Sequence, residues 1–408
     1  MKDTKYLLIG GGVASGRAAR QLRQKDPQGS ITLVGEELYV PYDRPPLSKE
    51  FMRGKKPKEK LFFDPEKYFQ DNNIELILGV AVQRLDLANK TAALSSGESV
   101  SFEKALIATG GRPVRLRLPG GDMSGVHYLR TLDDSAAIAS QAGQGKRAVI
   151  IGAGFIGMEV ASSLAQLGVK VSVIEAMPHI WPRFADASLA GFFQDYCTQK
   201  GVTFITGDTV TEIRGSGRLS SVATKSGKEL PCDFLCIAVG IVPNVELAQQ
   251  AGLKVDNGIV VDEYLRSSHP DVYAAGDVAN YTDPIFGKRR RVEHWGHAEY
   301  CGQLAGGNMA GASNKYDLVT YVWSDIFDLH LEFAGDESEH DRVLLRGSFK
   351  DKSFTVLYLK RNMLTAYFAI NVSSKEFPPL QRLIKQKNDL SGKESQLQDP
   401  AFDIKSLI

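Results

Sequence analysis

One pattern occurs twice in this chain and excludes most folds. Residues 5–24, KYLLIGGGVASGRAARQLRQ, and residues 147–168, RAVIIGAGFIGMEVASSLAQLG, each run an apolar strand into a glycine turn. Each turn opens an amphipathic helix with small residues near its start. A second apolar strand follows and ends in an acid, ITLVGE at Glu36 and KVSVIE at Glu175. Strand, glycine turn, helix and strand form the βαβ unit that holds dinucleotides. The glycines allow a tight turn and let backbone N–H groups at the helix N-terminus approach a pyrophosphate. The strand-end acid accepts hydrogen bonds from ribose hydroxyls. Two copies predict an α/β chain with two Rossmann-like domains and two bound dinucleotides.

The copies differ in detail. The first has Gly10 and Gly12, with Ser15 at the third glycine position and Gly16 beside it. Serine is small enough for helix–strand packing. The second is complete, with Gly152, Gly154 and Gly157, and carries Ile156 and Glu159 in the opening helical turns. A carboxylate at Glu175 bonds ribose hydroxyls and repels a 2′-phosphate. The first cation after it is Arg183, which is counted with the NAD-facing residues. The expectation is NADH rather than NADPH at this second turn.

Between and after the copies the chain is punctuated by strand-end breaks. Residues 75–109 read as short strands, with SSGES as a hairpin turn between 90–94 and 98–102. This segment closes on IATGGRP, where Ala108 and Gly110 stand at the break. Residues 203–238 repeat the style and end on AVGIVPN, which contains Gly240. YAAGDVAN (273–280) and a helical stretch at 294–310 follow. From about Tyr316 the texture changes to alternating strands, VLLRGSF, SFTVLYLK and MLTAYFAIN, divided by KDK and KRN turns. A helix is expected near 374–386, then a polar, loosely packed tail of about 20 residues. The predicted domains are 1–111 with 243–317, 112–242, and 318–408, the last a small α/β domain.

Composition narrows the function classes. Of 408 residues 43% are hydrophobic and 24% charged, and the formal net charge is +1. No global field selects nucleic acid or membrane. No apolar run approaches the ~20 residues of a membrane span, and the N-terminus enters a strand within about five residues. A cytoplasmic protein is expected. The four cysteines form no Cys-x-x-Cys pair, and Cys232 and Cys236 sit in an apolar run that favours burial. No motif requires a metal.

Several further segments carry a family resemblance. YAAGDVAN resembles the second flavin motif of the two-dinucleotide, glutathione-reductase-like flavoproteins, which implies that Asp277 bonds the ribitol of FAD. IATGGRP and AVGIVPN resemble the strand-end breaks of the same group. The disulphide reductases of that superfamily carry a cysteine pair after the first βαβ unit. This chain carries VPYDRPPLSKEF (40–51) there. That segment is similar to FAD-dependent ferredoxin reductases of bacterial oxygenase systems, such as putidaredoxin reductase and biphenyl-dioxygenase ferredoxin reductase. It is also similar to apoptosis-inducing factor and the monodehydroascorbate reductases. RRVEHWGHAEYCGQLAGGNMAG (290–311) and YVWSDIFDLHLEFAG (321–335) extend the likeness over about residues 1–385.

The resemblance implies roles residue by residue. Lys49 of PPLSK pairs with Glu159 beside flavin N5, and Trp323 packs by the isoalloxazine near the nicotinamide. Arg44 meets the FAD pyrophosphate, and Trp295 lies on the flavin side. A tether between domains for the ion pair, and a core aromatic for Trp323, are the plainer alternatives. Without a thiol relay, electrons leave the flavin itself, which takes a hydride as a pair and gives electrons singly. The implied activity is NADH-dependent reduction of an acidic [2Fe–2S] ferredoxin. Monodehydroascorbate or quinone reduction, and NADH sensing in the manner of apoptosis-inducing factor, are the other readings. Two basic runs, RGKKPKEK (53–60) and GKRRR (287–291), are either solvated faces or a docking surface for an acidic carrier. Monomer and homodimer both stay open.

Overall fold

In the computed structural model, which describes residues 2–181 and 186–408, the first sheet grows outward from the strand Lys2–Ile9. Tyr6–Ile9 lie parallel to Ile31–Val34 on one side and to Lys104–Ile107 on the other. The strand Ile74–Leu78 extends one edge in parallel. On the other, Thr91–Leu94 and Val82–Asp86 add antiparallel strands, with the SSGES turn where expected. Val272–Ala274 returns late in the chain to lie parallel to Ala105–Ile107. Every residue of Ile31–Gly35 is buried, as a parallel strand covered on both faces should be.

The glycine-rich helix Trp295–Met309 closes this sheet's helical layer. Intrinsic propensity disfavours so many glycines in a helix. Close packing against the helix Val13–Lys25 explains them. A Cβ at Gly302 would lie 2.2 Å from the Ala14 carbonyl oxygen, and one at Gly306 2.7 Å from that of Ala18.

A second parallel sheet orders Val202–Thr206, Lys170–Glu175, Arg147–Ile151, Phe234–Ile237 and Val126–Tyr128. A five-stranded sheet follows near the C-terminus, in the order Tyr321–Ile326, Leu329–Gly335, Met363–Ile370, Ser353–Lys360, Arg342–Ser348. One core joins these two sheets: Ile150, Trp181 and Phe193 pack with Phe333, Phe354 and Phe368.

The chain thus divides into two compact units. The first comprises Met1–Asp43, Lys58–Arg112 and Val242–Tyr321. The second comprises Arg44–Pro57, Pro113–Ile241 and Val322–Ile408. The short segment 44–57 belongs to the second unit, where Met52 is in the shared core.

The expectation of a loosely packed tail fails. Leu390, Leu397 and Ile404 are buried. Arg346, only 4% exposed, donates to Glu376 at 3.1 Å and to the carbonyls of Asp399, Pro400 and Phe402. Polar composition hid three apolar anchors that recur every seventh residue.

Candidate functional site

Each glycine turn places an open cradle at a helix N-terminus. Gly10 has φ +120°, and a Cβ there would lie 2.2 Å from the Ala108 carbonyl oxygen. The turn is therefore locked against the IATGG strand end, with Ala108 N–H donating to Ile9. Gly12 caps the following helix with no side-chain hydrogen bond, and a Cβ on it would meet no described atom within 4 Å. Among the described residues no side chain caps the first helical N–H groups, which leaves them available to an anion. Ser15 Oγ is buried with no hydrogen-bond partner among the described residues.

Glu36 stands exposed just past the strand Ile31–Gly35. Asp277 lies in the 3₁₀ turn Gly276–Val278, three residues past the strand Val272–Ala274. Gly276 approaches Ala14 in the glycine-turn helix, with an added Cβ 3.4 Å from the Ala14 Cβ. Gly10, Gly12, Ala108 and Asp277 are thereby brought to one end of the first sheet. Gly110 takes φ +61°, and its carbonyl accepts from Asn244 N–H at 2.9 Å. Thr109 and Asn244 exchange two further bonds, so the two strand-end breaks are stitched together.

The second turn repeats the geometry. A Cβ at Gly152 would lie 2.5 Å from the Ala238 carbonyl oxygen, and one at Gly157 2.0 Å from that of Gly152. Gly154 caps its helix with no side-chain bond and faces open space. Glu175 is fixed by two backbone donors, Ala153 N–H to Oε2 at 2.8 Å and Met177 N–H to Oε1 at 2.9 Å. Ile156, at 45% exposure, stands beside the cradle. Gly240, exposed and at φ +100°, follows the strand Phe234–Ile237. Arg183 lies outside the described residues. The residues present fit two dinucleotides: two uncapped helix N-termini, each with an acid at the end of the adjoining strand.

Within the second unit, Lys49 and Glu159 form a buried ion pair, Nζ to Oε1 at 3.0 Å, with exposures of 2% and 5%. An ion pair this deep needs further partners to offset desolvation. They are present: Ser48 and Ser324 donate their hydroxyls to Glu159, and the Trp323 ring centroid lies 4.9 Å from Lys49 Nζ. The loop is itself pinned, with Ser163 Oγ donating to the Ser48 carbonyl at 2.6 Å and Ser135 Oγ to that of Leu47. Sequence reading missed the two serines. Each is adjacent to a residue it did single out, and that adjacency was the available signal.

Arg44 Nη1 donates to the Arg130 carbonyl, and Trp295 Nε1 donates to Asp43 Oδ1 at 3.1 Å. All four cysteines are free and buried. Burial pushes the thiols of Cys197, Cys232 and Cys236 up to about 12, far from a reactive thiolate. Of the two basic runs, 287–291 is spent internally. Arg289 donates to the carbonyls of Val261 and Asn280, Arg290 pairs with buried Asp283, and Arg291 pairs with Glu293. No helix among the described residues is long and apolar enough to cross a membrane.

Two nucleotide cradles and a buried cation, in a chain with no exposed thiol, define a two-dinucleotide oxidoreductase. The family model for pyridine nucleotide-disulphide oxidoreductases matches residues 4–302, and a reductase C-terminal model matches 321–408. The chain belongs to the pyridine nucleotide-disulphide oxidoreductase family, with FAD and NAD(H) as its cofactors. It is 34% identical over 99% of its length, and 99% of the relative's, to a probable ferredoxin reductase of Castellaniella defragrans. The ferredoxin reductase of a cytochrome system from Rhodopseudomonas palustris superposes with a TM-score of 0.94, at 34% identity and 99% coverage of both chains. A covalent putidaredoxin reductase–putidaredoxin complex matches at 0.95, with 28% identity over 100% of this chain and 98% of that one.

Proposed function

We propose that the chain is an NADH-dependent ferredoxin reductase of the cytoplasm, serving an oxygenase system. In net terms NADH and two oxidised ferredoxins give NAD⁺, one proton and two reduced ferredoxins. FAD supplies the conversion of a hydride into two single electrons. The chain's residues do the rest. The first cradle, with Gly10, Gly12, Ser15, Glu36 and Asp277, holds FAD, assisted by Arg44, Ala108, Gly110 and Trp295. The second, with Gly152, Gly154, Ile156, Gly157, Glu175 and Gly240, holds NADH.

The observation that carries this reading is the Lys49–Glu159 pair. In the segment where a disulphide relay would stand, the chain provides a buried, oriented cation under an indole. A fixed cation at the flavin favours the anionic product of hydride acceptance. Glu159 and the two serines hold its ammonium in place, and Trp323 keeps water from it. The carrier that takes the electrons is read as an acidic iron–sulphur protein, met by lysines of 53–60.

Anaerobic reduction by NADH, followed in separate stopped-flow runs by a [2Fe–2S] ferredoxin, a quinone, monodehydroascorbate or air, tests this. Fast reoxidation by the ferredoxin alone is the expected result. Fast reoxidation by quinone or monodehydroascorbate instead would overturn the ferredoxin assignment. Slow reoxidation by all four, with a persistent long-wavelength charge-transfer band, would identify an NADH sensor.

A further inference from the structure

A second ionisable pair stands beside the first, and the reading above leaves it without a task. The strand Tyr321–Ile326 buries Ser324 and Ile326, while Trp323 and Asp325 share its half-exposed face. Trp323 on that face covers the Lys49 ammonium. Asp325 is therefore a second carboxylate on the side that Lys49 occupies. His330, from the neighbouring strand Leu329–Gly335, meets Asp325 Oδ1 through Nδ1 at 2.8 Å. The His330 backbone is fixed by two bonds with Asn371, each 2.8 Å.

Burial works to raise the Asp325 carboxyl, but the His330 hydrogen bond and charge, then Lys49 and Arg53, hold it below its usual range. The Asp325 hydrogen bond raises the His330 imidazole against burial, with added help from the charges of Asp325 and Glu332. Arg53 faces Glu50 and Gln166, and Glu332 accepts from Tyr367 on the strand Met363–Ile370.

We propose that Asp325 and His330 are positioning residues for the electron-transfer reaction, which act through Lys49 to set how strongly the bound flavin favours its reduced form. With His330 protonated, Asp325 is neutralised locally and adds no negative charge to the Lys49–Glu159 pair. With His330 neutral, Asp325 adds a negative charge on the same side and offsets Lys49. Reduction is thus favoured at low pH and disfavoured once His330 loses its proton. The inference rests on the reading of Lys49 as the flavin-facing cation.

The test is the midpoint potential of the bound flavin from about pH 6 to about pH 9, with the His330 ring resonance followed by NMR in the same protein. His330→Lys, which keeps a cation at every pH, supplies the baseline slope. In the native protein the reduced-to-oxidised ratio should fall about threefold beyond that slope as His330 titrates, about 14 mV for a two-electron couple. Asp325→Asn should raise the ratio and move the fall to lower pH, following the His330 ring, and His330→Gln should remove the fall and leave the ratio low. No inflection at the His330 titration, or both variants shifting the potential the same way, would overturn the proposal.

A Lys49→Met/Glu159→Gln double variant separates the two readings, because it strands no buried charge. If it leaves the potential at the native value, the reading of Lys49 at the flavin fails. If it shifts the potential and the Asp325 and His330 variants do not, only the present inference fails.

Discussion

Glu175 holds two backbone hydrogen bonds before any ligand arrives, so its carboxylate cannot swing aside to admit a 2′-phosphate. The kcat/KM for NADH should exceed that for NADPH by at least about tenfold, which is ~1.4 kcal/mol. Glu175→Ala should narrow the ratio mainly by weakening NADH. A native preference for NADPH would refute this. The acid was legible in the sequence because its meaning depends only on its place at a strand end. Ser48 and Ser324 were not. Their hydroxyls meet Glu159 across separations of 111 and 165 residues, and no local pattern encodes that meeting. Lys49 and Trp323 were singled out through resemblance alone; their closeness to each other emerges only when the chain is folded.

Among the elements, the alternating strands and the two βαβ units could be read directly, because their periods survive in any context. The C-terminal tail could not. Its helix Glu394–Gln398 has five residues, too short to show a period. What orders it is a single buried guanidinium that collects carbonyls from the tail, together with three apolar anchors. Truncation after Lys387 should therefore destabilise the second unit by at least about 3 kcal/mol, since it removes the three buried anchors Leu390, Leu397 and Ile404 and uncovers the surface they pack on. Leu397→Ala, a gentler probe, should cost about 2–4 kcal/mol in thermal or denaturant unfolding. An unchanged melting temperature in both would show that the tail is not part of the core. The helix Trp295–Met309 teaches the converse: its glycines look like poor helix formers until the carbonyls of Ala14 and Ala18 are seen against them.

For the molecule as a whole, a formal net charge of +1 leaves no long-range field, so any steering of an acidic carrier must be local. The arginines of 289–291 are engaged within the fold, whereas Lys55 lies exposed in the segment 44–57. Ferredoxin reduction should slow steeply as salt rises, and Lys55→Gln with Lys56→Gln should flatten that dependence without altering reduction by NADH. A flat salt response in the native protein would exclude steering. The first unit is built from three separate stretches of chain, and its sheet lacks Val272–Ala274 until late in synthesis. The second waits for the strands and tail that end at Ile408. On the ribosome the first unit cannot finish before Tyr321 has emerged, nor the second before the buried tail residues through Ile404 have, so the nascent chain carries two unfinished cores at once. Its yield in a cell should accordingly depend on chaperone capacity and translation speed more than its final stability would suggest.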